Sequence, residues 1–184
     1  HLSFDIGIVS ASQMVEALRR GDADIGLSFF MPRHDDIVPF ASAELHHHAV
    51  MAPGHPLTAA SEVSLHSLAA HRLILPDESY GVRQALERAA HQVGIVLAPT
   101  FRTASLETQK ALALNGAGVL VLPPMAVARE CQLGQLVSIP LASSELEAAR
   151  VDLCVYRHRQ RSFATEACLS LLASALQTLQ SPSS

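Results

Sequence analysis

The 184-residue chain has no tryptophan, a single lysine (Lys110), and aromatic residues at only 4% of its length. Without large aromatic side chains the core must be aliphatic, built from Leu, Val, Ile and Ala. Thirteen basic residues stand against seventeen acidic ones, for a net charge of −4. That balance argues against this chain itself gripping nucleic-acid phosphates, which would need clustered Lys and Arg. No run of about 18 apolar residues exists, so the sequence holds no membrane-spanning helix signal. Three widely spaced cysteines, Cys131, Cys154 and Cys168, contain no CxxC pair. They fit a reduced, cytoplasmic setting better than a disulfide framework. Fixed-period repeats and low-complexity tracts are missing too. No secretory leader is visible. The chain opens HLSFD, without Met, and so reads as a fragment.

What is present is a 49% hydrophobic, 16% charged globular composition. A chain of this length buries a sizeable core in one domain or two small lobes. Residues 2–9 alternate, with Leu2, Phe4, Ile6 and Ile8 on one face, which predicts a strand. Ser10 and Gln13 have capping-box spacing for a helix with an apolar stripe of Met14, Val15, Ala17 and Leu18, ended by Gly21. A strand over 23–29 follows, so residues 2–29 read as a β-α-β unit with parallel strands. Further strands are predicted at 44–52, 72–75, 100–103, 119–122, 137–141 and 151–156. Helices are predicted at 64–70, 81–93, 105–114, 125–131 and from Ser162 onward, with residues 142–150 a polar loop and 181–184 a frayed tail.

Four segments carry a resemblance. They are EALRRGDADIGL (16–27), MAPGHPL (51–57), SLETQKALALNGAGVLVLP (105–123) and VDLCVYRHRQRS (151–162). In this order and spacing the chain resembles the effector-binding domain of LysR-type transcriptional regulators over nearly its whole length. The resemblance implies an α/β fold like that of type 2 periplasmic binding proteins. Two Rossmann-like lobes are joined by two crossover strands, with a small molecule held between them. Lobe I then covers 1–40 plus 138–184, and lobe II covers 41–137. The family's domain normally begins with one further strand and helix, and its DNA-reading helix-turn-helix lies in an N-terminal domain not in this chain. The resemblance also implies dimers or tetramers, with helix 12–20 of one copy against helix 81–93 of another.

Ligands of open α/β sheets sit outside the carboxyl ends of the strands. After the first strand come Ser10 and Ser12, whose hydroxyls and nearby helix N–H groups suit an anion. Ser10 serves equally well as a plain N-cap. Phe29 matches a family pocket position and would give an apolar wall. The 77–83 segment matches the family's second-lobe effector loop. There Ser79 and the N–H groups of Gly81 and Val82 suit a carboxylate, and Tyr80 would stack or donate. Arg83 either adds charge or points into solvent. Thr103 fits a pocket wall beside the capping Ser105, and Pro123 adds apolar surface.

His46-His47-His48 suggests a metal, but only His46 and His48 share a strand face and no third ligand is at hand. No GxSxG, HExxH or Walker loop occurs, and the acidic pairs Asp22/Asp24 and Asp77/Glu78 read as solvated. The expectation is therefore a sensor of a small anionic organic effector, with no catalysis, cofactor or metal. Its rivals are a solute-binding protein of a transporter and an enzyme on the same fold.

Overall fold

A computed structural model of the chain describes residues 3–29, 31, 33–78, 80–142, 144–146 and 148–180. In chain order the elements are α1 (Ala11–Arg20), β1 (Gly26–Phe29), β2 (Ile37–Leu45), β3 (His48–Met51), α2 (Leu65–Ala69), β4 (Leu73–Leu75), α3 (Gly81–Gln92), β5 (Pro99–Arg102), α4 (Leu106–Leu114), β6 (Val119–Leu122), α5 (Ala128–Gln132), β7 (Val137–Pro140), β8 (Ala149–Tyr156) and α6 (Phe163–Gln180). They fall into two compact units. The first is His1–Leu45 with Arg150–Ser184, and the second is His46–Ala149.

In the first unit α1 begins with a full capping box. The Ser10 hydroxyl accepts from the Gln13 N–H at 3.3 Å, and Gln13 Oε1 accepts from the Ser10 N–H at 3.0 Å. Gly21 ends the helix at φ 88°, a left-handed conformation that costs a Cβ-bearing residue more. The helix buries Met14, Val15 and Leu18 against Ile37 and Cys154. A second apolar cluster joins Ala43 and Leu45 of β2, Val151, Leu153 and Val155 of β8, and Leu169 and Leu176 of α6. The sheet order is β1-β8-β2, with β1 antiparallel to β8 and Phe29 opposite Val151.

The strand predicted at the chain's start is not found. Residues 3–9 form no strand and are exposed, Ile8 fully and Phe4 to 68%. Alternation supplies only the side-chain half of a strand; the backbone half requires a partner to bond. The β-α-β unit read from residues 2–29 therefore does not form among the described residues, and the observed neighbour of β1 is the antiparallel β8.

In the second unit the sheet order is β5-β4-β6-β3-β7. β4 runs parallel to both β5 and β6, while β3 is antiparallel to β6 and β7. Val50, Ile74, Ala113, Leu120, Val127 and Leu136 form its core. Gly118 permits the β4–β6 approach, since a Cβ there would stand 2.5 Å from the Arg72 carbonyl oxygen. The single strand predicted over 44–52 is two strands, parted at His46-His47, one in each unit's sheet. β2 lies whole in the first unit and β7 in the second, whereas the sequence put the lobe bounds at Phe40/Ala41 and Val137/Ser138. The tail predicted over 181–184 lies outside the described residues.

Candidate functional site

Three parallel strands of the second unit, in the order β5-β4-β6, end on one edge of its sheet. Their carboxyl ends deliver Pro76 after β4, Thr103 after β5 and Pro123 after β6 to that edge. Leu75 and Arg102 are direct partners in the parallel pair, and the Thr103 N–H donates to the Leu75 carbonyl at 3.3 Å. Thr103 is pinned twice more. Its hydroxyl accepts from the Ser105 N–H at 3.3 Å, and its carbonyl accepts from Gln109 Nε2 at 2.7 Å. Ser105 caps α4 as expected, accepting from the Thr108 N–H at 3.2 Å. Pro123 is half-buried and opens the Pro124–Val127 turn.

At the end of β4 a recess of about 380 Å³ is lined by Pro76, Asp77, Glu78, Arg83 and Arg102. That volume suits a small metabolite. Tyr80 is the N-cap of α3 but offers no side-chain cap bond, and its ring is 42% exposed. Gly81 and Val82 open the helix and are half-buried. The first N–H groups of an α-helix have no partner within it, so this end suits an acceptor. Of the residues read from the sequence, Tyr80, Gly81, Val82, Thr103 and Pro123 come to this one edge. Ser79 lies outside the described residues.

Arg83 departs from the solvated reading. Its side chain is 4% exposed, and Nε and Nη2 both reach Oε1 of Glu87, at 2.7 and 2.5 Å. Nη1 is buried and has no hydrogen-bond partner among the described residues. A signal was present in the sequence, because Arg83 stands three residues before Leu86 and seven before Ala90, on the helix's apolar stripe. Arg102 was missed as well. Asp77 and Glu78, read as merely solvated, line the recess.

In the first unit Ser10 and Ser12 are exposed, with their hydroxyls 3.1 Å apart. The Ser10 hydroxyl also caps α1, accepting from the Gln13 N–H. Phe29 closes β1 and is 43% exposed rather than packed away. Of the three adjacent histidines, His46 is exposed, His47 is buried, and His48 Nδ1 lies 2.9 Å from Ser138 Oγ. Burial, then the neighbouring His46 and His48, lowers His47 to about 4. Among the described residues no three His, Cys, Asp or Glu side chains gather in a way that would hold a metal. The three thiols are free, and burial raises Cys154 to about 11, which makes it an unreactive core residue. No helix among the described residues is long and apolar enough to cross a membrane.

The LysR substrate-binding domain model matches residues 1–177. The chain belongs to that family. It is the effector-binding domain found in LysR-type transcriptional regulators, and its fold is that of type 2 periplasmic binding proteins. A curated relative is the HTH-type transcriptional regulator SsuR of Burkholderia cenocepacia, 29% identical over 127 residues, which are 68% of this chain and 41% of SsuR. The chain thus spans about two fifths of that relative's length. Among solved structures, the effector-binding domain of QuiR in complex with shikimate aligns with a TM-score of 0.76 at 13% identity, over 92% of this chain and 79% of that one. The Synechocystis CcmR regulatory domain in complex with 2-PG aligns at 0.75 and 18% identity, over 91% of this chain and 80% of that one.

Proposed function

We propose that this chain is the effector-sensing part of a LysR-type regulator and that it binds a small anionic organic molecule without transforming it. The observation that carries the reading is the family match over residues 1–177, taken with the recess at the open end of α3. Ser79, Tyr80, Gly81, Val82, Thr103 and Pro123 serve as effector contacts on the second unit, and Ser10, Ser12 and Phe29 on the first. Effector binding favours one conformation of the domain and so biases DNA binding by a separate N-terminal helix-turn-helix domain. The bias is no larger than the effector's differential affinity for the two conformations. The protein works in the cytoplasm as a dimer or tetramer, with α1 of one copy against α3 of another. A transporter's solute-binding protein is the less favoured reading, since the curated relatives are regulators.

The test is a thermal-shift screen of organic acids. A ligand at about a hundred times its Kd stabilises the folded state by about 2.7 kcal/mol. Gly81→Trp, which fills the start of α3, is expected to abolish the shift given by a hit while the ligand-free melting temperature holds. An unchanged shift in that variant would remove this loop from the site.

A further inference from the structure

We propose that the first unit carries a second small-molecule site, built from Ser42, Glu44 and Arg150, which takes a small zwitterion of the α-amino acid class. None of these residues is among the effector contacts proposed above, so the site stands apart from that reading.

A recess of about 290 Å³ is lined by Ser42, Ala43, Glu44 and Arg150, all within the first unit. That volume is at the low end for small-molecule sites, which calls for a small ligand. Alternation along β2 puts Ser42 and Glu44 on one face, and alternation along β8 puts Arg150 and Asp152 on one face. Asp152 joins the two strands. Its Oδ1 accepts from the Ser42 hydroxyl at 2.5 Å and from Arg150 Nε at 2.7 Å. Ser42 Oγ in turn accepts from Arg150 Nη2 at 3.3 Å. The Asp152 side chain is 8% exposed and that of Arg150 is 54% exposed. A buried carboxylate thus holds an exposed guanidinium by one side.

Arginine offers its N–H donors in a rigid fork. Asp152 and Ser42 take the Nε and Nη2 side of it. Nη1 has no partner among the described residues, so the far end of the fork is open to a carboxylate. Part of the ordering cost of that side chain is already met before a ligand arrives. Glu44 lines the same recess, is exposed, and makes no hydrogen bond or ion pair among the described residues.

The charges set the class. Arg150 and Asp152 cancel, and Glu44 leaves the site with one net negative charge. A plain carboxylate would meet Arg150 but be opposed by Glu44. A plain ammonium would meet Glu44 and leave the open fork unused. A ligand with both groups satisfies both, its carboxylate on Arg150 and its ammonium on Glu44, with the Ser42 hydroxyl beside them. Ser42 and Glu44 lie near the end of β2 and Arg150 near the start of β8, where the chain leaves the first unit and returns to it. A bound zwitterion therefore braces those two strands against each other.

The experiment is ¹H–¹⁵N correlation spectroscopy of the wild-type chain, with the arginine Nε–H signals included. Glycine, sodium acetate and methylammonium chloride are titrated separately near neutral pH at constant ionic strength. Glycine carries both charges, and each of the others carries one. Saturable shifts at Ser42, Glu44 and Arg150, with glycine bound at least about tenfold more tightly than either control, support the proposal. Glu44→Gln and Arg150→Gln should each weaken glycine binding about tenfold, the scale of one hydrogen bond to a charged group, and Arg150→Lys should recover part of it. Arg150→Gln strands the buried Asp152; should it fail to fold, Glu44→Gln, on an exposed side chain, decides with the wild-type titrations. Acetate or methylammonium binding as tightly as glycine overturns the zwitterion assignment. Glycine shifts that miss Ser42, Glu44 and Arg150, or no saturable shift at all, overturn the site, and the effector-domain reading survives either result because it rests on other residues.

Discussion

The pair Arg83–Glu87 makes a prediction whose sign depends on which partner is removed. Removing one member of a buried ion pair typically costs about 3–5 kcal/mol, because a charge stays buried without its partner. The two members here are not alike: the Arg83 side chain is 4% exposed and that of Glu87 is 40% exposed. Glu87→Gln strips the carboxylate from a guanidinium that cannot turn to water. Allowing for solvent at the Glu87 end, the loss should be about 2 kcal/mol. For a chain of this size that lowers the melting temperature by about 4–8 °C. Arg83→Met removes the buried charge itself and leaves behind a carboxylate that water reaches. Its cost should stay below about 1 kcal/mol. The assay is thermal unfolding followed by circular dichroism for both single variants and the double variant. Sodium acetate at constant ionic strength should restore part of the Glu87→Gln loss, since an added anion takes the place of the lost one. Equal losses from the two single variants would refute the assignment of a stranded charge to Arg83.

Two further expectations follow from other parts of the fold. Gly118→Ala should destabilise by about 1–3 kcal/mol through its clash with the Arg72 carbonyl, whereas Gly54→Ala, which meets nothing within 4 Å, should be near neutral in the same urea titration. His47 has a folded value of about 4 against the usual 6.5, held down first by burial. The unfolded chain therefore takes up this proton more readily than the folded one. Stability from His47 is full above about pH 6.5 and declines as pH falls toward 4. His47→Gln should flatten urea-measured stability across that window, and an unchanged slope would assign the loss to other groups.

Much of the second unit was legible because its elements are locally punctuated. Ser105 before α4, Gly94 after α3, and Gly116 with Gly118 before β6 mark joints that short-range sterics and capping decide. The first segment was not legible for the opposite reason. Leu2, Phe4, Ile6 and Ile8 alternate as a strand should, but pairing is a long-range property that periodicity does not contain. Likewise, no local signal in residues 44–52 marks the change from one unit's sheet to the other's at His46-His47. The two readings of Arg83 stayed open because its charge was weighed and its place on the stripe with Leu86 and Ala90 was not.

Tyr80, Gly81, Val82, Thr103 and Pro123 were brought to one sheet edge by a positional rule, that ligands of open α/β sheets sit where parallel strands end. The rule locates the edge but says nothing of charge. Charge selection needs a group whose ionisation is unconditional and whose freedom to reach water has been removed. An arginine on the buried face of α3 meets both conditions, and its solvation by Glu87 is incomplete. We propose that the sheet edge supplies the place, while the helix stripe draws Arg83 inward and leaves a buried charge beside it. A surface arginine at the same sequence position would be screened and mobile, and would discriminate little between ligands.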